Sequence, residues 1–492
     1  MLILCLMTFM VSSVKCETEV NIALLLPNDT RYPFSSGKLL PALEMGIAHV
    51  QNTLLPDVKF NVRYADTKFD MNIGVIKGNN FHQMGTVHAF FGPVCDYAVA
   101  QLARMAQNWN IPLVSVGAMA SDFLEYRRQD YSSLIRAGPV NFNNVAEYVT
   151  HLINYFSWRK LKIISEGKGQ DLYENYCHFL SKAVDDYLNS DNSNITSDYF
   201  KLDTEVDLDD LLVNEIENAY GVVLLCASAD TVRDIMIKAE ELNFDNGEYV
   251  FLNIDLFSSK GESEKPWYRG KDTTERNRKA KRAYEALMTI TVRKPTSFAY
   301  RRFSDLVKSR AGYRSFGDEE VNSFVGAFHD SVILYALALN ETLASNGSIS
   351  NGTEIIQRMS NRTFQGITGT VSIDINGDRT SDFSLLDMNP MSGNFEVVAN
   401  FFGNVKKYMP IPSKKIHWAG NRTSVPPDTP NCGFDGAKCL PKTYVPGTSD
   451  ASKTAANGSG TTVQSTLTML LGTLIPSLRL MMPQDLDRNS VS

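Results

Sequence analysis

The sequence lacks the short motifs that mark several classes of enzyme. Its 492 residues contain no Gly-x-Ser-x-Gly elbow, no His-Glu-x-x-His, no Walker loop and no complete dinucleotide fingerprint. Each of these motifs positions a nucleophile, a metal ion or a phosphate group for chemistry. We therefore expect no catalytic residues, no metal site and no enzymatic activity in this chain.

An excess of positive charge is also missing. The formal net charge is −7 and the pI is near 5.6. Domains that bind nucleic acids present a basic face, so we expect no nucleic-acid partner. A mildly acidic balance is compatible with a basic peptide ligand. Apolar residues make up 43% of the chain, which excludes wholesale disorder.

Long hydrophobic runs are scarce. Residues 2–11 are apolar but too short to span a bilayer, and two serines follow them. This pattern predicts a secretory signal peptide over residues 1–16, and the alternative is a buried first strand. Residues 321–343 are apolar but interrupted by polar side chains, so we expect a helix that does not span a membrane.

Sequons for N-glycosylation are frequent, and several cluster in a Ser/Gly-rich segment that we predict to be a loop. Glycans need exposed acceptors in the secretory pathway, so we expect an extracellular or cell-surface protein. The acceptor residues are Asn28, Asn194, Asn340, Asn346, Asn351, Asn361, Asn421 and Asn457.

Seven cysteines in a secreted chain predict a disulfide framework. A bridge between Cys177 and Cys226 would clip a predicted helix to a predicted strand. A bridge between Cys432 and Cys439 would close a small loop in a segment without periodicity. If the N-terminal cysteines leave with the signal, Cys95 remains as an odd thiol, either buried and free or paired with another chain.

Strands and helices alternate from Val20 for most of the chain. The clearest βαβ unit runs through residues 91–117, in which a strand enters a Gly-Pro turn, then a helix, then a second strand. Such alternation predicts doubly wound parallel sheets covered by helices on both faces. The pattern breaks at residues 136–139 and a second series follows, so we predict an α/β protein of two lobes separated by a cleft. Ligands bind outside the carboxyl ends of strands in such sheets.

Regular structure fades near the carboxyl end. Residues 426–460 are rich in Pro, Ser, Thr and Gly, which is the composition of a stalk or linker. Residues 463–482 are moderately apolar but contain Pro476 and Arg479, and a polar end follows. Three alternatives remain open for this tail: a soluble end, a lipid anchor or a membrane span.

Seven longer motifs resemble the extracellular domain of receptor guanylate cyclases, the natriuretic peptide receptor family. The resemblance extends from about Asn21 to Cys439. It includes Tyr-Pro-Phe-Ser at 32–35, Phe-Gly-Pro-Val-Cys-Asp-Tyr at 91–97 and Arg-Ala-Gly-Pro at 136–139. The other motifs lie at residues 283–289, 358–369, 382–388 and 426–435.

The resemblance implies a bilobal fold of the periplasmic-binding-protein type I, with three hinge crossings near residues 136–139, 288–290 and 366–369. The ligand-binding region would occupy residues 17–410. Its first lobe would comprise about 17–137 and 290–366, and its second lobe about 138–289 and 367–410. A disulfide-closed juxtamembrane-like segment (411–445) and a Ser/Thr/Gly-rich linker with a weakly apolar tail (446–492) would follow.

The resemblance also implies particular site residues. A structural chloride ion, the one non-protein group expected, would be held by Ser35 and by the backbone amides of Val94 and Cys95. From the residues alone, Ser35 could instead cap the helix that follows it.

The ligand-binding positions implied by the resemblance are Tyr97, Arg104 and Lys182. From the residues alone, Arg104 could equally lie on a solvated helix face. The family has an acidic side chain where Lys182 stands, which argues against a natriuretic-type ligand. The disulfide partner that the family offers Cys95 is missing from residues 67–72.

The function implied is that of a peptide-binding receptor domain that forms a homodimer, or a heterodimer with full-length receptor cyclases. Too few residues follow Cys439 for a kinase-like domain and a cyclase, so we expect no production of cyclic GMP by this chain. It would act as a truncated, decoy or clearance-like receptor. The alternatives are a small-molecule sensor of the same fold, specific for amino-acid-like ligands, and the ectodomain of a longer cyclase.

Overall fold

The fold is that of a computed structural model, which describes residues 18–167, 169, 175–190, 194–202, 206–257, 265–316 and 320–429. The predicted signal peptide, Cys432, Cys439, Asn457 and the tail lie outside these residues.

The first lobe begins with a five-stranded parallel sheet in the order β2-β1-β3-β4-β5. Strands β3, β4 and β5 are short and fully buried and β1 is largely buried, as expected of a parallel sheet between two layers of helices, whereas β2 at the sheet edge is mostly half-buried or exposed. The elements in chain order are β1 (Thr18–Leu26), α1 (Ser36–Thr53), β2 (Val58–Asp66), α2 (Met71–Met84), β3 (Ala89–Phe91), α3 (Asp96–Trp109), β4 (Leu113–Ser115), α4 (Asp122–Glu125), α5 (Arg127–Asp130) and β5 (Leu134–Arg136).

The chain then enters the second lobe. Helix α8 continues without a break into a π-helical segment, Leu211–Glu217, and α10 ends in a 3₁₀ turn, Tyr284–Ala286. The elements are α6 (Phe142–Tyr155), β6 (Lys160–Glu166), α7 (Tyr176–Leu188), β7 (Thr196–Leu202), α8 (Leu208–Asp210), β8 (Val222–Cys226), α9 (Ala229–Glu241), β9 (Val250–Ile254), α10 (Thr274–Ala283) and β10 (Leu287–Val292).

After β10 the chain returns to the first lobe and then crosses once more to the second. The remaining elements are α11 (Phe298–Ala311), α12 (Tyr313–Phe316), α13 (Ser323–Ala344), α14 (Gly352–Met359), the hairpin β11 (Arg362–Gly366) and β12 (Gly369–Ile373), β13 (Phe383–Met388), β14 (Phe395–Phe402), β15 (Lys407–Pro410) and a 3₁₀ turn, Ala419–Asn421.

The second sheet has eight strands in the order β15-β14-β13-β10-β9-β8-β6-β7. Strands β6 to β10 are parallel, whereas β13, β14 and β15 add in antiparallel fashion. The two-lobed α/β fold predicted from the sequence is therefore confirmed.

The crossings between lobes differ in detail from the predicted positions. The first follows β5, at residues 136–139. The second follows Val292, because five of the six residues of β10, including Val292, pair with β13 and four pair with β9 in the second sheet. The third follows Asp378, whose bridge to Arg136 keeps it beside β5. The hairpin β11–β12 thus precedes the last crossing.

Two local predictions are wrong. The local sequence pattern predicts a helix over residues 279–288, but Leu287 and Met288 begin β10, because their β-sheet partners outweigh local helix propensity. The sequon-rich segment predicted as a loop is mostly helical. Helix α13 reaches Ala344, and Asn351 caps α14 by accepting a hydrogen bond from the Glu354 amide.

Helix α13 is the one helix in the described part of the chain that is long and apolar enough to cross a membrane. Most of it is buried inside the protein. It packs along α1, where Gly46 lets the two backbones approach until a Cβ there would lie 3.3 Å from the His329 carbonyl oxygen. These contacts identify α13 as the core helix of the first lobe.

Candidate functional site

The crossings between the lobes are tied together by a buried ion network. The Asp378 carboxylate, just before the last crossing, accepts from Arg136 at the end of β5, with Nε to Oδ1 at 2.7 Å, and is also paired with Arg127 of α5. All three side chains are buried. Burial alone would raise the pKa of Asp378, but the two guanidinium groups outweigh it and hold the pKa below its usual value.

A second polar group joins the hairpin to α13. The buried Asp330 carboxylate accepts from the Ile367 amide at 2.6 Å and from the Thr368 amide at 3.2 Å, and also from the Thr368 hydroxyl. Arg379 in turn donates to the Thr368 hydroxyl at 2.8 Å. Hydrogen bonds therefore hold the last crossing both before Asp378, at Ile367 and Thr368, and after it, at Arg379.

The cleft between the lobes is bridged by aromatic rings. Phe257, after β9, stacks on Phe324 of α13, with ring centroids 5.5 Å apart. On the first-lobe side Phe324 meets Phe34 edge-on at 5.7 Å, and on the second-lobe side Phe257 meets Tyr176 at 5.1 Å. The contacts among these four rings could not be predicted from the sequence, because the residues come from four separated segments of the chain.

Of the predicted ligand-binding residues, Tyr97 and Lys182 lie near one another across the cleft. The Tyr97 ring, in the first turn of α3, meets Phe179 of α7 at 6.2 Å in a T-shaped contact. Lys182 lies one turn after Phe179 and pairs with Asp185 at 3.2 Å and Asp186 at 2.7 Å. The structure thus forms a half-buried aromatic pair beside acidic side chains.

Arg104 lies elsewhere on α3. Its guanidinium group pairs with Asp130 at 2.9 Å and covers the face of Tyr131 at 5.0 Å from the ring centroid. It is therefore neither a purely solvated side chain nor part of the Tyr97–Phe179 pair. A ligand that gripped Arg104 would have to compete with Asp130.

The predicted chloride residues lie at one edge of the first sheet. Strands β1 and β3 are adjacent and parallel, and the helices that follow them, α1 and α3, start at Ser36 and Asp96. Ser35 is fully buried, makes no capping bond to α1, and its Oγ has no hydrogen-bond partner among the described residues. The alternative that Ser35 caps the helix is therefore not what the structure shows.

The turn at residues 92–95 follows a cis Gly92–Pro93 bond. Val94 lies outside the left-handed region, so a side chain there causes no backbone strain. Cys95 is a free, buried cysteine, and burial raises the pKa of its thiol to about 11. This agrees with the interpretation of Cys95 as a buried free thiol. The disulfide between Cys177 and Cys226, by contrast, is present and joins α7 to the end of β8.

The described sequon asparagines are mostly accessible. The side chains of Asn28, Asn194, Asn346, Asn361 and Asn421 are exposed. Asn340 and Asn351 are half-buried, the former on the last turns of α13.

The two lobes, their three crossings and the cleft between them define a ligand-binding receptor domain of the periplasmic-binding-protein type I fold. A model of the receptor family ligand binding region matches residues 38–391. The chain belongs to that family. More narrowly, it is a ligand-binding domain of the natriuretic peptide receptor and receptor guanylate cyclase family.

The relatives differ in how much of their length the chain covers. Atrial natriuretic peptide receptor 3 of Bos taurus is 34% identical over 418 residues, which are 81% of this chain and 75% of the relative. A receptor-type guanylate cyclase of Caenorhabditis elegans is 31% identical over 476 residues, 85% of this chain and 37% of the relative. Atrial natriuretic peptide receptor 2 of Rattus norvegicus is 27% identical over 439 residues, 85% and 40% respectively. The region shared with these relatives is non-catalytic.

Proposed function

We propose that this chain is an extracellular, peptide-binding receptor domain that works as a decoy or clearance-like receptor. The observation that carries the peptide assignment is the row of rings through the cleft, from Phe34 through Phe324 and Phe257 to Tyr176. These rings are in contact from one lobe to the other and fill part of the space between the lobes. A larger ligand that binds at the surface fits this arrangement better than an amino acid does.

The peptide would lie across α3 and α7, over Tyr97 and Phe179. Aromatic side chains give a large contact area at low entropic cost, and the two belong to different lobes, so a ligand over both would report on the lobe arrangement. Lys182 is already paired with two acidic side chains, and Asp186 remains well exposed. The local charge therefore favours a basic peptide.

A peptide library displayed on phage tests this proposal, with the secreted protein as bait and Tyr97→Ala plus Phe179→Ala as the matched variant. We expect enriched peptides to bind the wild type and to lose at least tenfold in affinity on the variant. Free amino acids serve as the competing class. If they raise the melting temperature of the protein while no peptide is enriched, the small-molecule alternative replaces this one.

We also propose that two copies, or this chain and a longer relative, pair through the outer face of α2. Ile76 and Met84 are 56% and 72% exposed there. Exposed apolar side chains gathered on one helix are typical of an interface. Light scattering should give a dimer for the wild type and a monomer for Ile76→Glu with Met84→Glu.

We propose that Ser35, Val94 and Cys95 bind a chloride ion, because their polar groups suit an anion. The buried, unpartnered Ser35 hydroxyl can donate to an anion, and neither the Val94 nor the Cys95 amide donates to any other described residue. Amides at the start of a helix favour a negative ion. We expect the melting temperature to fall when chloride is replaced by gluconate, and Ser35→Ala to remove that dependence.

We propose an extracellular or cell-surface location, which the exposed sequons and the predicted signal peptide support. Expression of the full chain in animal cells, with detection by antiserum in medium, membranes and phospholipase-released material, separates the outcomes. Recovery in the medium supports a decoy. Retention on cells supports an anchored clearance receptor, and phospholipase release distinguishes a lipid anchor from a membrane span.

A further inference from the structure

A cavity of about 370 Å³ lies on the second sheet, away from the proposed peptide surface. Its floor is formed by β9, β10, β13 and β14. Thr289 and Thr291 of β10 face it, whereas Ile290 between them packs into the core that α7 shares. Because side chains alternate along a strand, the cavity and α7 lie on opposite faces of this sheet.

The sequence pattern of the strands explains why this face is left open. The side chains facing α9 and α10 are apolar where the helices cover the sheet, at Phe251 and Leu287. Further along the same strands they become polar, at Asn253 and Thr289. Helix α9 contributes only its first turns to the wall, through Ala229 and Val232.

The lining divides into an apolar and a polar part. Leu386, Phe395 and Val397 form an apolar wall on the antiparallel strands. Ser384 donates to Asn400 at 2.8 Å at the polar end. The Asn253 side chain also lines the cavity, and its Oδ1 is buried with no hydrogen-bond partner in the described structure. A side-chain amide can turn over and offer either its oxygen or its N–H groups.

Three charged residues line the cavity, Asp255, Arg293 and Lys294, and each already takes part in an interaction. Arg293 pairs with Asp382 at 3.5 Å and covers the Phe402 ring, and Lys294 pairs with Glu320 at 3.1 Å. A charged ligand would have to displace one of these partners, whereas a neutral one would not. The volume lies within the range of pockets that hold small ligands.

We infer that this cavity is a binding site for a small neutral molecule with a flat apolar body and one carbonyl or hydroxyl group. The apolar body packs on Leu386, Phe395 and Val397, and the polar group bonds to the Asn253 amide. The rim residues Arg293 and Lys294 begin the second crossing between the lobes. A bound ligand therefore contacts the second crossing at Arg293 and Lys294, and this segment must move whenever the lobes change their arrangement. This site stands independently of the proposed peptide function.

The neutral fluorophore Prodan, a dimethylaminonaphthalene that carries one ketone, is the probe. We expect saturable binding to the full glycosylated chain at micromolar concentration, with the blue-shifted emission of an apolar site. Leu386→Trp fills the cavity and should weaken binding at least tenfold. Asn253→Leu keeps the approximate size and should weaken it several-fold.

Ile375→Trp adds the same indole at an exposed turn far from the cavity and is the matched control. If Leu386→Trp does not give the wild-type melting temperature, Thr289→Met serves as the second filling variant. Binding that is lost in the filling variants and kept in Ile375→Trp supports the site. No saturable binding, or binding unchanged in both filling variants, overturns it.

Discussion

Phe257 of the second lobe stacks on Phe324 of the first, with their ring planes 11° apart. The pair belongs to a core that continues from one lobe to the other, since Phe324 lies in the same apolar cluster as strands of both sheets. Separating the lobes would return both ring faces to water, at a cost on the order of 2 kcal/mol. The ring contact therefore favours the arrangement of the lobes described here.

Removal of either ring should loosen the lobes. We expect Phe257→Ala and Phe324→Ala to be coupled by about 0.5 to 1.5 kcal/mol in a double-mutant cycle of unfolding free energies. The radius of gyration from X-ray scattering should rise in each variant. Phe298→Ala removes a ring that is 74% exposed and is the control. Purely additive effects with an unchanged radius would show that the pair does not hold the lobes.

Asp378 should be the most sensitive position of the hinge network. Asp378→Asn leaves Arg136 and Arg127 buried without a counter-charge, and we expect a loss of about 3 to 5 kcal/mol in the free energy of unfolding. Asp382→Asn, at a half-buried carboxylate of the same crossing, is the comparison and should cost less.

The pH dependence of this network has a definite sign. The pKa of Asp378 is lowered in the folded protein by Arg136 and Arg127, despite burial. Its stabilising contribution is therefore present above the usual carboxyl pKa and is lost as the pH falls through the lower, folded value. Urea titrations below about pH 4 should show the wild type losing stability more steeply than Asp378→Asn. Parallel curves would contradict this assignment.

The sequence pattern was sufficient to predict the alternation of strands and helices and the break after Arg136, because both features depend on residues close together in the chain. It could not reveal that Arg136 pairs with a residue 242 positions later, since no spacing rule links a strand end to a distant turn. The same holds for the aromatic rings of the cleft. At Leu287 the local pattern gave the wrong element, because pairing with β9 decided the outcome.

The predicted site shows a similar division. Ser35, Val94 and Cys95 were expected from the family resemblance alone, and they follow β1 and β3, which are adjacent and parallel in the structure. The environment of Arg104 depends instead on its ion pair with Asp130, which cannot be predicted from the position of Arg104 on its helix. Side chains whose role is set by long-range partners are thus the ones that the sequence left open.

Reduction of the Cys177–Cys226 disulfide should destabilise the second lobe. The bridge closes a loop with a sequence separation of 49, for which the chain-entropy account gives about 4 kcal/mol. We expect Cys177→Ser with Cys226→Ser to lower the melting temperature and to reduce its response to dithiothreitol. Cys95→Ser, at the buried free thiol, should leave that response intact. An undiminished response in the double variant would contradict the expectation.

Asp387 and His417 join β13 to the segment that follows β15. The carboxylate accepts from the His417 amide at 2.8 Å and from its Nδ1 at 3.1 Å, and it is almost entirely buried. Burial raises the pKa of Asp387 to about 6, although the bonds from His417 oppose the shift. The other charged groups nearby are Glu285, whose pKa burial also raises, and the Glu396–Lys414 pair.

The sign here is opposite to that at Asp378. Between about pH 4 and pH 6 the folded protein holds a proton on Asp387 that the unfolded chain has released, so stability falls as the pH rises through this interval. Asp387→Asn cannot lose that proton. We therefore expect the free energy of unfolding of the variant, relative to that of the wild type, to rise by on the order of 2 kcal/mol between pH 4.5 and pH 7.5. Urea unfolding measures this difference. Glu396→Gln, at a solvent-exposed pair, should follow the wild type. A constant difference in the free energy of unfolding between Asp387→Asn and the wild type across this range would contradict the raised pKa of Asp387.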